Sequence, residues 1–68
     1  MLVKIILTPE KELKEIEVEK NTKIYELVKK LNLNPDTVLV LRGDTPVPID
    51  EVLRKEETLE IVRVVSGG

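Results

Sequence analysis

The sequence LEIVRVVSGG, residues 59–68, joins the most apolar strand-like stretch of the chain to a Gly-Gly ending. Residues 59–65 are rich in β-branched side chains, which predicts a central strand that pairs in parallel with the first strand of the chain. Two consecutive glycines lack Cβ atoms and have wide freedom in φ, so the ending is expected to be thin and flexible. Such a peptide can enter a narrow channel and present its carboxylate there. A frayed terminus is the alternative, since two terminal glycines arise by chance in roughly one chain in 200.

The composition is that of one small domain with an aliphatic core. The 68 residues are 41% hydrophobic, and Tyr25 is the only aromatic side chain. Cysteine and histidine are absent, which excludes disulfides, thiolate metal sites and Cys or His nucleophiles. A domain of this size buries only about 60% of its unfolded surface, so no deep catalytic cleft is expected.

Charge and hydropathy together indicate a cytoplasmic protein that binds neither nucleic acid directly nor membrane, and a monomer is expected. Eleven basic and 13 acidic residues give a net charge of −2, with no general attraction to nucleic acid. No apolar run reaches the ~20 residues of a membrane span, and charge begins at Lys4, so no signal peptide is expected. Charged residues, mostly Lys and Glu, make up 35% of the chain, a bias typical of thermophile surface ion-pair networks.

The first half of the chain predicts a β-hairpin followed by one helix. Residues 2–7 and 14–19 are expected to form antiparallel strands. Thr22 is predicted as the helix N-cap, and Asn32 as the left-handed residue just beyond the helix end, with Leu33 after it. The predicted inward residues of the hairpin are Val3, Ile5, Leu7, Ile16 and Val18, and those of the helix are Ile24, Leu27, Val28 and Leu31.

The second half predicts three strands. Residues 38–41 are continuously apolar, which indicates a central strand covered on both faces. Gly43 suits a type II′ hairpin turn, and Pro46 and Pro48 limit the next strand to a short edge strand. Residues 49–53 are expected to form a short connection of one helical turn. The order β-β-α-β-β-β predicts an α+β domain over residues 1–64, with a mixed sheet of four or five strands packed on one helix. Residues 65–68 would be its flexible tail.

This order of elements, the chain length and the Gly-Gly ending resemble the ubiquitin-like β-grasp sulfur carriers. The resemblance is strongest to the short thiamine-type carriers and the small archaeal modifier proteins. Molybdopterin-synthase small subunits are a poorer match, because they tend to be longer and to have more aromatic approaches to their Gly-Gly. The resemblance to the sulfur carriers and modifiers lies in the stretches TKIYELVKKLNL (22–33), VLVLRGDTPVP (38–48) and LEIVRVVSGG (59–68).

The resemblance implies a carrier without catalytic residues, metal site or permanently bound cofactor. An activating enzyme related to ubiquitin-activating enzymes would use ATP to adenylate the carboxylate of Gly68. A sulfur donor of cysteine desulfurase or rhodanese type would then form a thiocarboxylate, or a lysine of a target protein would take the acyl group. Gly67 and Ser66 would thread through the enzyme, with Val65 gripped just before them. Thiamine thiazole, molybdopterin and tRNA thiolation remain alternative destinations for the sulfur.

The outer face of the sheet is the predicted docking surface for the activating enzyme. If Leu59 and Ile61 point inward, their neighbours point outward, and an exposed apolar patch on a small domain often marks an interface. A phase error of one residue in any strand would exchange the two faces. The predicted partner-binding residues are Val62, Val64, Val40, Val38, Leu2 and Ile6.

Other patterns receive simpler interpretations. The tripeptide Arg42-Gly43-Asp44 matches an adhesion motif but is interpreted as a hairpin turn. The glutamates between residues 10 and 19 are interpreted as a solvated face, since no second type of metal ligand accompanies them. The rival hypothesis for function is a β-grasp protein-interaction or RNA-associated module whose Gly-Gly ending has no chemical role, and an enzyme ranks third.

Overall fold

A five-stranded mixed sheet forms one layer of the structure, and a short α-helix lies against one of its faces. The computed structural model describes residues 1–64. The strand order in the sheet is β2-β1-β7-β4-β5, and β3 and β6 form a separate two-stranded pair. The elements are β1 (Leu2–Thr8), β2 (Glu12–Glu17), β3 (Thr22–Lys23), α1 (Ile24–Lys30), a 3₁₀ turn (Pro35–Thr37), β4 (Val38–Arg42), β5 (Thr45–Val47), β6 (Val52–Leu53) and β7 (Thr58–Arg63).

Strands β1 and β7 lie at the centre of the sheet and are parallel, as predicted. Ile5 is opposite Leu59 and Leu7 is opposite Ile61 in their register. The hairpin of β1 and β2 is also confirmed, although β2 begins at Glu12 and ends at Glu17. All predicted inward residues of the hairpin contribute to the core, with Ile16 half-buried at its margin.

The N-terminus of α1 differs from the prediction. Thr22 is not the N-cap: it belongs to β3, pairs with Leu53, and donates its hydroxyl to the Glu19 carbonyl. The N-cap is Lys23, whose side chain makes no capping hydrogen bond. Instead, the Ile24 N–H donates to the Glu51 carbonyl at 2.9 Å and the Tyr25 N–H donates to the Ile49 carbonyl at 2.8 Å. A distant segment therefore satisfies two of the free N–H groups at the helix start, in place of a side-chain cap.

The segment that supplies these acceptors is not the predicted helical turn. Residues 49–51 run beside the start of α1, and Val52–Leu53 then pairs with β3. The Glu51 N–H closes a tight turn on the Pro48 carbonyl, and the Ile49 and Glu51 carbonyls accept from α1, so these carbonyls are not free for the hydrogen bonds of a helical turn.

The C-terminus of α1 is a Schellman motif, as predicted from Asn32 and Leu33. Asn32 has φ +61°, in the left-handed region that asparagine tolerates. Its N–H donates to the Lys29 carbonyl, and the Leu33 N–H donates to the Val28 carbonyl. Leu33 packs against the core, which fixes the direction in which the chain leaves the helix.

The core between sheet and helix contains eleven buried apolar residues, and no polar side chain of the described residues is buried with them. This composition is the aliphatic core expected from a chain with one aromatic residue. The buried residues are Val3, Ile5, Leu7, Val18, Ile24, Leu27, Val28, Val40, Leu53, Leu59 and Ile61.

Two predicted outward residues of β4 point inward. Val40 is only 1% exposed, and Val38 packs against the core, so their assignment to the outer face is wrong. The reason is the register with β7: Val40 is opposite Ile61, and residues directly opposite each other share a face. Because residues 38–41 are all apolar, the sequence lacks the alternation that would have fixed the phase of the strand.

The turn between β4 and β5 agrees with the prediction. Arg42 is opposite Thr45, and Gly43 has φ +62°, so the Arg-Gly-Asp tripeptide forms a two-residue hairpin turn. Strand β5, with Pro46 at its centre, lies at the edge of the sheet. Of the helices in residues 1–64, none has the length and apolar composition that crossing a bilayer requires.

Candidate partner-docking surface

One residue from each strand forms a row across the sheet face that points away from α1. Glu60 on the central strand β7 is opposite Ile6 on one side and Leu41 on the other. Ile6 is opposite Leu13, and Leu41 is opposite Pro46. The row therefore consists of four apolar residues with a single carboxylate at its centre.

A second row on the same face lies nearer the C-terminal end of β7. Val62 is opposite Thr8 on β1 and Leu39 on β4. Leu39 is 45% exposed and Leu13 in the first row is 63% exposed, which are large fractions for leucines in a small domain. We call the residues of the two rows the outer patch: Leu13, Ile6, Glu60, Leu41, Pro46, Thr8, Val62 and Leu39.

The outer patch contains two of the predicted partner-binding residues, Ile6 and Val62, both half-buried. Two further predicted residues are exposed: Leu2, on the same face of β1, and Val64, which directly follows β7. Docking itself remains a prediction for all four residues.

Sequence reasoning missed the leucines of the patch. Leu39 and Leu41 belong to the continuous apolar run of residues 38–41. That run predicted that both faces of β4 are buried, so neither leucine was predicted to be exposed. Leu13 and the inward Ile16 are three positions apart on β2. Side chains an odd number of positions apart point to opposite faces of a strand, so Leu13 is an outward apolar residue.

The carboxylate of Glu60 has one side-chain partner among the described residues. The Thr8 hydroxyl donates to Glu60 Oε2 at 2.5 Å, across the boundary between the two rows. Within residues 1–64, Glu60 forms no ion pair. The half-buried carboxylate is thus held in place but not neutralised.

The C-terminal end of β7 is anchored on both sides. The Val64 N–H donates to the Thr37 carbonyl at 3.0 Å, beside the start of β4. Arg63 forms an ion pair with Glu10 in the turn between β1 and β2. The predicted tail residues Val65, Ser66, Gly67 and Gly68 lie outside the described residues.

Arg42 is the centre of a separate charged cluster at the other end of β4. Its guanidinium contacts both Glu57 oxygens, at 2.6 and 3.1 Å, and Glu51 at 2.7 Å. The hydrogen bonds that Arg42 donates to the carboxylates of Glu57 and Glu51 raise the pKa of Arg42 above its ordinary value. When folding raises the pKa of a base, the charged base stabilises the fold at every pH below its unfolded pKa. This stabilisation is lost only as the pH rises through the folded pKa. Arg42 therefore remains charged, and its ion pairs persist, throughout the neutral range.

A groove of about 580 Å³ beside this cluster combines charges of both signs. Since the Arg42 donors already bind two carboxylates, we interpret the cluster as a structural connection between β4 and the segments around β6. Within the described residues, no group of three or more Asp, Glu, His or Cys side chains is placed to hold a metal. The glutamates between residues 10 and 19 are exposed.

The mixed five-stranded sheet packed on one helix defines the class of the protein as ubiquitin-like β-grasp. A solved structure described as Caldiarchaeum subterraneum ubiquitin has the same fold, with a TM-score of 0.73 over 100% of this chain and 98% of that one. Its sequence identity is 19%, so this comparison establishes the fold alone.

The family follows from sequence comparison. The family model of small archaeal modifier protein 2 matches residues 1–65, and the chain belongs to that family of small ubiquitin-like sulfur carriers and modifiers. Sulfur carrier protein TtuB of Thermus thermophilus is 38% identical over 64 residues, covering 94% of this chain and 95% of that protein. An uncharacterized protein of Archaeoglobus fulgidus is 46% identical over 56 residues, covering 81% and 82% of the two chains. The resemblance noted from the sequence is thereby confirmed.

Proposed function

We propose that this protein carries sulfur on its C-terminal carboxyl group, at Gly68, after adenylation by an ATP-dependent activating enzyme. The observation that carries the proposal is the family match over residues 1–65, followed directly by Ser66-Gly67-Gly68. The 38% identity to a protein named as a sulfur carrier supports the same chemistry.

The chemistry solves a reactivity problem. A carboxylate is a poor electrophile, and its attack on the α-phosphorus of ATP releases pyrophosphate and installs AMP as a leaving group. Hydrosulfide then displaces AMP and leaves a thiocarboxylate. A persulfide on a cysteine desulfurase or rhodanese instead forms an acyl disulfide, which a second thiol cleaves to the same thiocarboxylate. The role of this chain is to position the Gly68 carboxylate for reaction, because a tail without Cβ atoms at residues 67 and 68 fits a narrow channel.

A role as a protein modifier is compatible with the same intermediate. A lysine amine of a target protein can displace AMP and form an isopeptide bond, and the family is named for modifiers. The downstream sulfur acceptor would be an enzyme of thiamine, molybdopterin or tRNA thiolation chemistry.

Intact mass measurement tests the proposal. The full chain is incubated with ATP, the adenylating enzyme encoded in the same genome, and a cysteine desulfurase with cysteine. We expect one C-terminal oxygen to be replaced by sulfur, and we expect a matched chain that lacks Gly68 to remain unchanged. If the full chain gives neither an adenylate nor a thiocarboxylate with any adenylating enzyme of that genome, the carrier function is wrong and the interaction-module hypothesis replaces it.

The outer patch is the surface we propose for docking the activating enzyme, and Val62 tests it. Replacing Val62 with glutamate places a charge between Thr8 and Leu39, and an apolar enzyme surface would then bury that charge unpaired. Because an unpaired charge buried at an interface costs about 2 kcal/mol or more, we expect kcat/KM for adenylation to fall about 30-fold or more. Val62 is on the outer face, so the unfolding temperature should change little.

Thr58→Glu is the matched control. Thr58 lies on the same face of β7 and is exposed, but it is outside the outer patch. The substitution adds the same charge and should leave adenylation close to the wild-type rate. Equal rates for Val62→Glu and the wild type would show that the enzyme docks elsewhere.

A further inference from the structure

Glu60 is an unusual residue for the centre of an apolar surface. Its neighbours across the sheet, Ile6 and Leu41, are both apolar, and the same row ends in Leu13 and Pro46 at the two edges. The side chain is half-buried, and Thr8 Oγ1 donates to one of its oxygens. A glutamate on an exposed strand normally extends freely into water, whereas this carboxylate is fixed above the sheet.

Docking of an apolar surface on the outer patch would remove the remaining water from Glu60. An ionised carboxylate loses several kcal/mol when it is desolvated without a partner, and a single hydroxyl does not compensate for this loss. Within residues 1–64, Glu60 has no cation of its own to neutralise it. Lys4 shares this face of β1, but it is opposite Thr58 and forms no ion pair with Glu60, so the compensating charge is expected from the docked molecule.

We propose that the activating enzyme presents a cationic side chain, best an arginine, within its apolar docking surface and opposite Glu60. This inference rests on the proposed function, since it concerns the enzyme that docks on the outer patch. A guanidinium matches the site because it binds a carboxylate through a planar fork of donors, and the hydrogen bond from Thr8 holds the acceptor in one orientation. Glu60 thus determines specificity, because a surface that is only apolar would leave its carboxylate unpaired.

The test is the affinity of the full chain for the adenylating enzyme, measured by calorimetry without ATP, together with kcat and KM for adenylation. Glu60→Gln keeps the shape and removes the charge, which leaves the enzyme's cation unpaired. Losing one partner of a desolvated pair typically costs about 2 kcal/mol or more, so we expect Kd and KM to rise about 30-fold or more. At saturating carrier, kcat should stay within about twofold, because the bound tail reaches the same position.

Glu26→Gln is the matched control, since Glu26 is an exposed glutamate on α1 at the other side of the molecule. It removes the same net charge and should leave Kd close to the wild-type value. The salt dependence gives a second readout: the slope of log Kd against log salt should be shallower for Glu60→Gln than for Glu26→Gln. Unchanged unfolding temperatures for both variants would exclude a folding defect as the cause.

The outcomes separate this inference from the docking proposal. Unchanged or tighter binding by Glu60→Gln, with a large loss for Val62→Glu, would overturn the cationic partner and leave the docking surface in place. No loss for either variant would overturn both. A dimer that buries the outer patch, detected by sedimentation and lost in Val62→Glu, would show that a second copy is the occupant. Thiocarboxylate formation at Gly68 is measured independently of all three results.

Discussion

Replacing Gly67 with valine should abolish activation of Gly68 and leave the unfolding transition of the domain unchanged. The valine adds a β-branched side chain to the peptide that we propose to enter the enzyme, and it restricts φ at that position. A displacement of about 1 Å at a reacting centre can reduce a rate about 10²-fold, so we expect at least that loss in ATP–pyrophosphate exchange. Within residues 1–64 the buried core residues lie between Val3 and Ile61, so we expect the fold not to respond.

Ser66→Ala is the control for this experiment. It changes the same tail but adds no atoms, so exchange should remain within a few-fold of the wild type. Activation of Gly67→Val at the wild-type rate would show that no close channel surrounds residue 67. The proposal for the tail would then lose its physical basis.

Replacing Ile61 with alanine should produce a large loss of stability. Ile61 is 0% exposed, and it lies between Leu7 on β1 and Val40 on β4 at the centre of the sheet. Truncating a buried isoleucine costs about 2–5 kcal/mol, because apolar contacts are lost and a cavity remains. A domain of this length is stable by roughly 3–10 kcal/mol in total, so the variant should be partly unfolded or close to it.

Guanidinium denaturation measures this loss, with Val64→Ala as the control. Val64 is 65% exposed, and its truncation should change the free energy of unfolding by less than about 0.5 kcal/mol. A loss below about 1 kcal/mol for Ile61→Ala would contradict the packing described for the centre of the sheet.

The elements in which charged residues separate buried apolar positions were predictable from the sequence. Strands β1 and β7, the hairpin with β2 and the buried stripe of α1 all match, because a side-chain period fixes which residues face the core. Strand β4 was placed correctly but in the wrong phase, since four consecutive apolar residues fit either face. Its phase depends on the pairing of Val40 with Ile61, a long-range contact.

Predictions from local sequence, such as the helix N-cap, were wrong where tertiary hydrogen bonds determine the structure. Thr22 is a good N-cap by composition, yet the carbonyls of Glu51 and Ile49 already accept from the first N–H groups of α1. Next to these contacts, the pairs Thr22–Leu53 and Lys23–Val52 form β3 and β6, two strands of two residues each that are too short to show an alternation in the sequence.

The candidate site was predictable in part. The family was suggested by the Gly-Gly ending together with the order of elements. The phase of β1 and β7 identified two of the eight outer-patch residues, Ile6 and Val62. Glu60 was not identified, because a glutamate between two apolar residues indicates an ordinary solvated position. Its place at the centre of the outer patch depends on the register of all five strands.

The position of β7 has a mechanical consequence. The strand that leads to the tail is hydrogen-bonded to β1 on one side and β4 on the other, and Val64 is bonded to Thr37 beyond its end. A pull on Val64 along the strand would load these bonds in shear, so that many must break together and not one after another. An enzyme that draws the C-terminal segment into its channel would therefore move the domain as a rigid body, with the sheet resisting extension.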